Sequence, residues 1–275
     1  MPSVSDAPVF GLPARNQKPR TRGITSMIDF GPDTFGWTGG EHGIHDLLAV
    51  AADYIDYAKI YAMNALLMPE SVLKRAAVLY RDAGVKTFAG GILFEYAWQR
   101  GQLDGMISHL KKLGIPGIEL SENYVELTED ERHRAIDRLQ QGGLQVVYEF
   151  GRKNPEEPLS IDYLTEIVRA VGEHGIDHVT LEQSELDLLA ADKPDALLSL
   201  ARQPWFDRVV IEADPYRFPD QHVALLREFG NDVNLANVAP GQILRLEGFR
   251  QGIGRAVNYW AVSGDASRPA GIHHS

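Results

Sequence analysis

Four glycines fix the frame of this chain. Gly84, Gly114, Gly142 and Gly175 each close a stretch of helical periodicity and open a short apolar run, at spacings of 30, 28 and 33 residues. Glycine just past a helix meets the demand of a left-handed cap, because it has no Cβ to clash there. About thirty residues is also the size of one strand joined to one crossover helix. Eight such units can be read, with strands near Gly23–Asp29, Tyr54–Ile60, Val85–Ala89, Gly117–Ser121, Leu144–Glu149, His178–Glu182, Arg208–Ala213 and Asp232–Asn237. Between them run stripes at helical spacing, such as Leu103, Met106, Ile107, Leu110 and Leu113, or Ile161, Leu164, Ile167, Val168 and Val171. Pro69 and Pro219 stand near helix starts, where a missing N–H costs little.

Strict alternation of strand and helix predicts a parallel sheet, and eight units favour closure into a single (β/α)₈ TIM barrel. The 275 residues match the usual length of that fold. The expected organisation is a flexible arm over 1–22, a catalytic barrel over 23–262 and a flexible tail over 263–275. No Gly-x-Gly-x-x-Gly follows a strand, so dinucleotide binding is not indicated. Ser184 lacks the Gly-x-Ser-x-Gly setting of a hydrolase nucleophile. The chain has no cysteine, which removes disulfides, thiolate metal sites and thiol nucleophiles together. A net charge of −11 argues against a nucleic-acid partner. No apolar run is long enough for a membrane span, and a cytoplasmic location is expected. Oligomeric state leaves no signature, and a homo-oligomer stays open.

In such a barrel the C-terminal strand ends carry function. Those positions give Asp29, Lys59, Glu95, Glu119, Glu149, Glu182, Glu212, Asp214, Asn234 and Asn237, so that the fourth to seventh strands all end in glutamate. Two carboxylates about 4 Å apart repel by on the order of 4 kcal/mol at an effective dielectric near 20. A hard cation, basic side chains or raised pKa values must offset this. Oxygen ligands around a partly hydrated ion form the Mg²⁺ pattern; Lys59, Arg152 and Lys153 offer protein cations instead. The histidines at 42, 45, 109, 133, 174 and 222 read as surface residues, and His178 as a barrel-interior one. Tyr54, Tyr57 and Tyr61 read mainly as packing.

The strand ends resemble those of the phosphosulfolactate synthase family, which includes the coenzyme M biosynthetic enzyme and plant heat-stress-associated relatives. The resemblance rests on Asp53-Tyr-Ile-Asp-Tyr-Ala-Lys59, Gly90-Gly-Ile-Leu-Phe-Glu95, Ile118-Glu-Leu-Ser121 and Leu127-Thr-Glu-Asp-Glu-Arg132. It continues through Glu149-Phe-Gly-Arg-Lys153, Val210-Ile-Glu-Ala213 and Val233-Asn-Leu-Ala-Asn-Val238, and covers roughly residues 23–255. It implies a Mg²⁺-dependent lyase that adds sulfite to phosphoenolpyruvate, a small anionic substrate. On that reading Lys153 is the proton donor, Lys59 neutralises substrate charge and Glu149 joins them in catalysis. The lysine's pKa must fall, or its proton be relayed, for it to act near neutrality. Glu119, Glu149, Glu182 and Glu212 are the expected metal ligands. Asp29, Glu95, Ser121, Arg152, Asn234 and Asn237 are the expected substrate-binding residues.

Two loops depart from the family's pattern. After Lys59 a glycine- and tryptophan-containing loop is replaced by Ile60-Tyr-Ala-Met-Asn64, and after the sixth strand a glycine- and arginine-containing loop is replaced by Glu182-Gln-Ser-Glu-Leu186. Glycine lets backbone N–H groups approach an anion, and arginine grips phosphate bidentately. Their loss points to a less phosphorylated substrate as the alternative, and a non-catalytic stress-associated barrel is the third reading.

Overall fold

A computed structural model describes residues 11–12, 15–30, 41–192 and 195–263. Eight parallel strands close into a barrel in chain order: β1 Thr25–Asp29, β2 Tyr57–Ile60, β3 Lys86–Ala89, β4 Gly117–Ser121, β5 Gln145–Phe150, β6 Val179–Leu181, β7 Val209–Glu212 and β8 Leu235–Val238. The helices that matter below are α1 Glu41–Ala51, α2 Asn64–Leu67, α3 Glu70–Asp82, α4 Gly91–Gln99, α5 Leu103–Leu113, α6 Glu129–Gln141, α7 Ile161–Glu173, α8 Gln183–Asp192, α9 Ala196–Ala201, α10 Asp220–Phe229 and α11 Ile243–Arg250. No helix among the described residues is long and apolar enough to cross a membrane.

The strands are shorter than the apolar runs that announce them. Ala52–Tyr54 is a 3₁₀ turn closing α1, so β2 starts at Tyr57. At the other seam β8 starts at Leu235 and reaches Val238. The glycine frame holds, with one correction. Gly84, Gly114 and Gly175 have φ of 68°, 75° and 73°, but after α6 the left-handed residue is Gly143 at 84°. Gly142 is right-handed and is required for a different reason, since a Cβ there would stand 2.7 Å from Ile107 Cγ2.

Period-two alternation divides each strand. Met27, Ala58, Ala89, Ile118, Leu120, Tyr148, Leu181, Ile211 and Leu235 belong to the apolar layer under the helices. The stripes of α5 and α7 supply Met106, Ile107, Leu110, Leu113, Leu164, Ile167, Val168 and Val171 to the same layer. Each Leu, Ile, Val or Met among them contributes about 1.5–3 kcal/mol when fully buried. The alternate positions face inward. Ile24, Ser26, Tyr57, Phe88, Val147, Thr180 and Val210 line a cavity of about 380 Å³ in the lower barrel, and His178, just before β6, lines it too.

The seam between β8 and β1 is irregular in register and is held by side chains. Asn234 Oδ1 accepts from Ile24 N–H at 2.9 Å, while Nδ2 donates to Asp207 O at 2.9 Å and Val209 O at 3.1 Å. Arg250 of α11 donates to Val233 O at 2.8 Å. The expected flexible arm is corrected over 15–22. Arg20 is buried and binds Asp56 at 2.9 Å, and Arg15 donates to Gly23 O at 2.8 Å and pairs with Glu247 at 3.0 Å. Residues 1–10 and 13–14 of that arm, and 264–275 of the tail, lie outside the described residues. His222, expected at the surface, is fully buried on α10 against the ring of Phe218.

Candidate active site

At the C-terminal end of the barrel, two lysines thread between four glutamates. Lys59 projects from β2 across the interior, its Nζ 2.7 Å from Glu119 Oε2 of β4 and 3.3 Å from Glu149 Oε2 of β5. Lys153, in the turn after β5, contacts Glu182 Oε2 and lies 3.4 Å from Glu212 Oε2 and 3.8 Å from Glu149 Oε1. The result is an alternating row from Glu119 through Lys59, Glu149 and Lys153 to Glu182 and Glu212. All four carboxylates are at most 4% exposed. Two amides flank the row: Asn123 Nδ2 donates to Glu149 Oε1 at 2.6 Å, and Asn237 Nδ2 donates to Glu212 Oε1.

Four carboxylates and two ammonium groups carry a net charge of −2 when all are ionised. Burial is the main force that raises Glu119 to about 8, with repulsion from Glu149 adding to it. Burial and then Glu212 raise Glu182 to about 9. Burial also works on Glu149, but there the attraction of Lys59 and Lys153 wins and brings it down to about 2. Burial opposes charge on both lysines, yet their carboxylate neighbours hold each above the ordinary lysine range. Protons on Glu119 and Glu182 thus bring the row to neutrality at pH 7, and a divalent cation would do the same.

The donor set fits such an ion. Glu149, Glu182 and Glu212 each offer an oxygen, all within 4.8 Å of one another and all buried. Oxygen-only ligation suits a hard cation. Asn123 Oδ1 and Asn237 Oδ1 are buried beside them without a hydrogen-bond partner among the described residues, acceptors of the kind that a bound group would satisfy. Glu119, expected as a fourth ligand, lies at the other end of the row, where its Oε2 takes Lys59 and Gly91 N–H at 3.0 Å.

The structure redistributes most of the expected substrate-binding residues. Glu95 lies on α4, where it accepts from Ser121 Oγ, from Asn123 N–H at 3.0 Å and from Tyr124 N–H at 2.8 Å. It pins the loop after β4, and Ser121 is committed to it. Asp29 shares the outward parity of Met27, and its carboxylate accepts from Phe30 N–H at 2.8 Å and from the Tyr80 hydroxyl of α3, behind the barrel wall. Arg152 points away from the row to Glu126 and lines a separate cavity of about 370 Å³ with Tyr148 and Tyr163. Asn234 sits at the N-terminal end of β8, opposite the mouth. Asn237 alone among these six reaches a carboxylate of the row.

Three contributors escaped the sequence reading. Asn123 lies two residues beyond β4, so only a search extended past the strand end would find it. Gly91 would carry a Cβ 2.3 Å from Ser121 Oγ, so the Gly90-Gly91 pair is what lets α4 press its first N–H onto Glu119. The third is the first turn of α8. Glu185 Oε1 accepts from Arg152 N–H at 2.9 Å and Ser184 Oγ donates to Arg152 O at 2.8 Å. Gly151, at φ +116°, leaves no room for a side chain, because a Cβ would meet Glu185 Cγ at 2.5 Å. The altered loop after β6 is therefore a clamp on the turn that carries Lys153.

Comparison with known proteins gives a consistent picture. The profile of the (2R)-phospho-3-sulfolactate synthase family matches residues 13–255. The phosphosulfolactate synthase of Methanocaldococcus jannaschii is 32% identical over 242 residues, covering 84% of this chain and 92% of the relative. That of Methanothermobacter thermautotrophicus is 30% identical over 253 residues, covering 89% and 94%. Among solved structures, the N-acetylneuraminate lyase of Fusobacterium nucleatum overlays with a TM-score of 0.50 at 13% identity, covering 90% of this chain and 78% of that one, a likeness of fold alone.

Proposed function

The chain belongs to the (2R)-phospho-3-sulfolactate synthase family, and from that premise we propose that it joins sulfite to phosphoenolpyruvate with the help of Mg²⁺. The observation that carries this reading is the buried row in which Lys59 and Lys153 alternate with four glutamates at the barrel mouth. Phosphosulfolactate holds its sulfonate on the carbon that is the methylene of phosphoenolpyruvate. Forming it requires one new C–S bond, with the sulfur lone pair attacking that carbon. The alkene electron pair moves to the neighbouring carbon, which must then receive a proton.

On this reading Lys153 gives that proton. Its neighbours keep it charged at neutral pH, so it is loaded as a donor but holds its proton too firmly to release it unaided. Glu149, Glu182 and Glu212 would hold Mg²⁺, which would draw the substrate carboxylate and share the charge that now tightens Lys153. Lys59 lies deeper, locked to Glu119 and Glu149, and sets a positive charge beneath the substrate carboxylate. Asn123 and Asn237 orient Glu149 and Glu212.

A second reading takes an unsaturated acid without a phosphate. It is favoured by Glu185, which fills the N–H site at Arg152 that an anion would use, and by the pairing of Arg152 with Glu126 and of Arg217 with Asp187. Incubation with Mg²⁺, sulfite and phosphoenolpyruvate, followed by mass detection of the adduct, tests the first reading. Lys153→Ala is expected to slow product formation about 10²- to 10⁴-fold. An undiminished rate would remove Lys153 from that role. Absence of adduct with phosphoenolpyruvate, with adduct formed on an unphosphorylated acid, would decide for the second.

A further inference from the structure

On the outer surface, far from the mouth, two histidines from neighbouring helices meet ring to ring. His133 of α6 directs Nδ1 at Nε2 of His174, the residue that closes α7, at 2.5 Å. Their centroids are 4.7 Å apart and their planes 41° off parallel. The other nitrogen of each faces a carboxylate. His174 Nδ1 lies 3.0 Å from Asp137 Oδ1, and His133 Nε2 lies 3.7 Å from Glu129 Oε1. Gln140 Nε2, also from α6, donates to His174 O at 2.8 Å and ties that residue's backbone to α6.

Neutral rings satisfy the two short contacts in only one pair of tautomers. Each neutral imidazole has one N–H and one lone pair. His174 commits its N–H to Asp137, so its lone pair faces His133. If His133 answers with an N–H from Nδ1, its own lone pair is left to solvent, with Glu129 3.7 Å away and beyond hydrogen-bond reach. If it turns its N–H to Glu129, two lone pairs face each other. A cation between the two inner nitrogens would take both lone pairs and leave both N–H groups turned towards carboxylates, His174 to Asp137 at 3.0 Å and His133 towards Glu129 at 3.7 Å. The location favours positive charge as well, since the carboxyl end of α7 is the negative end of its dipole.

We propose that His133 and His174 form a binding site for a late first-row divalent cation such as Zn²⁺, Cu²⁺ or Ni²⁺, clipping α6 to α7. Imidazole nitrogen suits these ions, and a ligating histidine whose second nitrogen is held by a carboxylate is their usual setting. Two nitrogens at metal-bond length on one tetrahedral ion stand about 3.3 Å apart, so the rings need to part by less than 1 Å from their present 2.5 Å separation. Asp137 and Glu129 orient the rings, and water completes the coordination at this partly exposed site. It differs in chemistry from the oxygen-only mouth, whose carboxylates prefer a hard ion.

Copper provides the decisive probe. One equivalent of Cu²⁺ added to the full chain in excess Mg²⁺ is expected to give an electron paramagnetic resonance spectrum with splitting from two imidazole nitrogens. His174→Ala should abolish the two-nitrogen pattern, and Asp137→Asn should weaken Cu²⁺ binding about 10- to 100-fold while preserving the pattern. Zn²⁺ should raise the melting temperature of the wild type more than that of His174→Ala. A spectrum unchanged by His174→Ala would overturn the proposal. So would a wild-type spectrum without two-nitrogen splitting, which would leave a shared proton as the charge between the rings. Asp137→Asn and the wild-type spectrum decide the matter even if His174→Ala fails to fold.

Discussion

Ser184 shows how much of this site depends on groups that touch no substrate. Its hydroxyl donates to Arg152 O, and its neighbour Glu185 accepts from Arg152 N–H, so both polar groups of one peptide residue are fixed immediately before Lys153. Ser184→Ala leaves every charge of the row in place, frees that turn and removes one 3.3 Å contact to Glu182 Oε1. We expect it to lower kcat on the order of tenfold with little change in KM, in keeping with the sensitivity of catalysis to about 1 Å of misplacement. Steady-state kinetics would check this, and a rise in KM alone would show that the clamp serves binding instead. The same residue marks a limit of reading from sequence. In sequence Ser184 invites comparison only with a nucleophile motif, and nothing in a linear string indicates that a helix start will fold back onto the turn from the preceding strand.

The strands and helices were legible to the extent that their periodicity was. Eight apolar runs and the glycines behind them follow from local physics, namely caps and alternation, and the barrel contains all eight. Glu149, Glu182 and Glu212 were found because β-strand parity and the C-terminal rule act together on short strands. What failed was direction at the strand ends. Asp29 ends β1 and Asn234 precedes β8, yet one side chain faces the helices and the other the barrel base. Glu95 failed because the third unit enters its helix straight after Gly90, so a residue read as rim lies inside α4. That tight entry is itself testable. Gly91→Ala would drive a Cβ into Ser121 and push α4 from β4, and we expect it to cost about 1–3 kcal/mol in chemical denaturation. The double variant with Ser121→Gly should recover part of the loss, because it removes the clash but also the Ser121–Glu95 bond. If Gly91→Ala is as stable as the wild type, the close approach is not what requires glycine there.

Across the fold, acid should act through a residue outside the carboxylate row. Burial, and then the nearby Arg250 charge, lower His222 to about 4 from an ordinary 6.5. The folded protein therefore needs this ring neutral. Above pH 6.5 both folded and unfolded chains leave it uncharged and it has no effect on stability. As pH falls from about 6.5 towards 4, the unfolded chain takes up a proton that the fold refuses, and stability declines by an amount on the order of 3 kcal/mol. His222→Phe should flatten that part of the stability–pH curve while leaving stability at pH 8 nearly unchanged, as read by urea midpoints. A curve that stays as steep would place the acid sensitivity elsewhere, with the carboxylate row as the next candidate.

Lys59 gives the mouth a property that hydrogen-bonded neighbours alone do not supply. It starts on β2 and ends on β4 and β5, so it joins strands that share no ladder with its own. In mechanical terms it is a tie rod across a hoop, resisting any flattening of the circular cross-section. Charge at this point then governs shape: Glu119 already carries a proton at pH 7, so Glu149 is the partner whose neutralisation would slacken the rod. Chemistry at the centre and stiffness at the edge become one quantity, set by a single ammonium group.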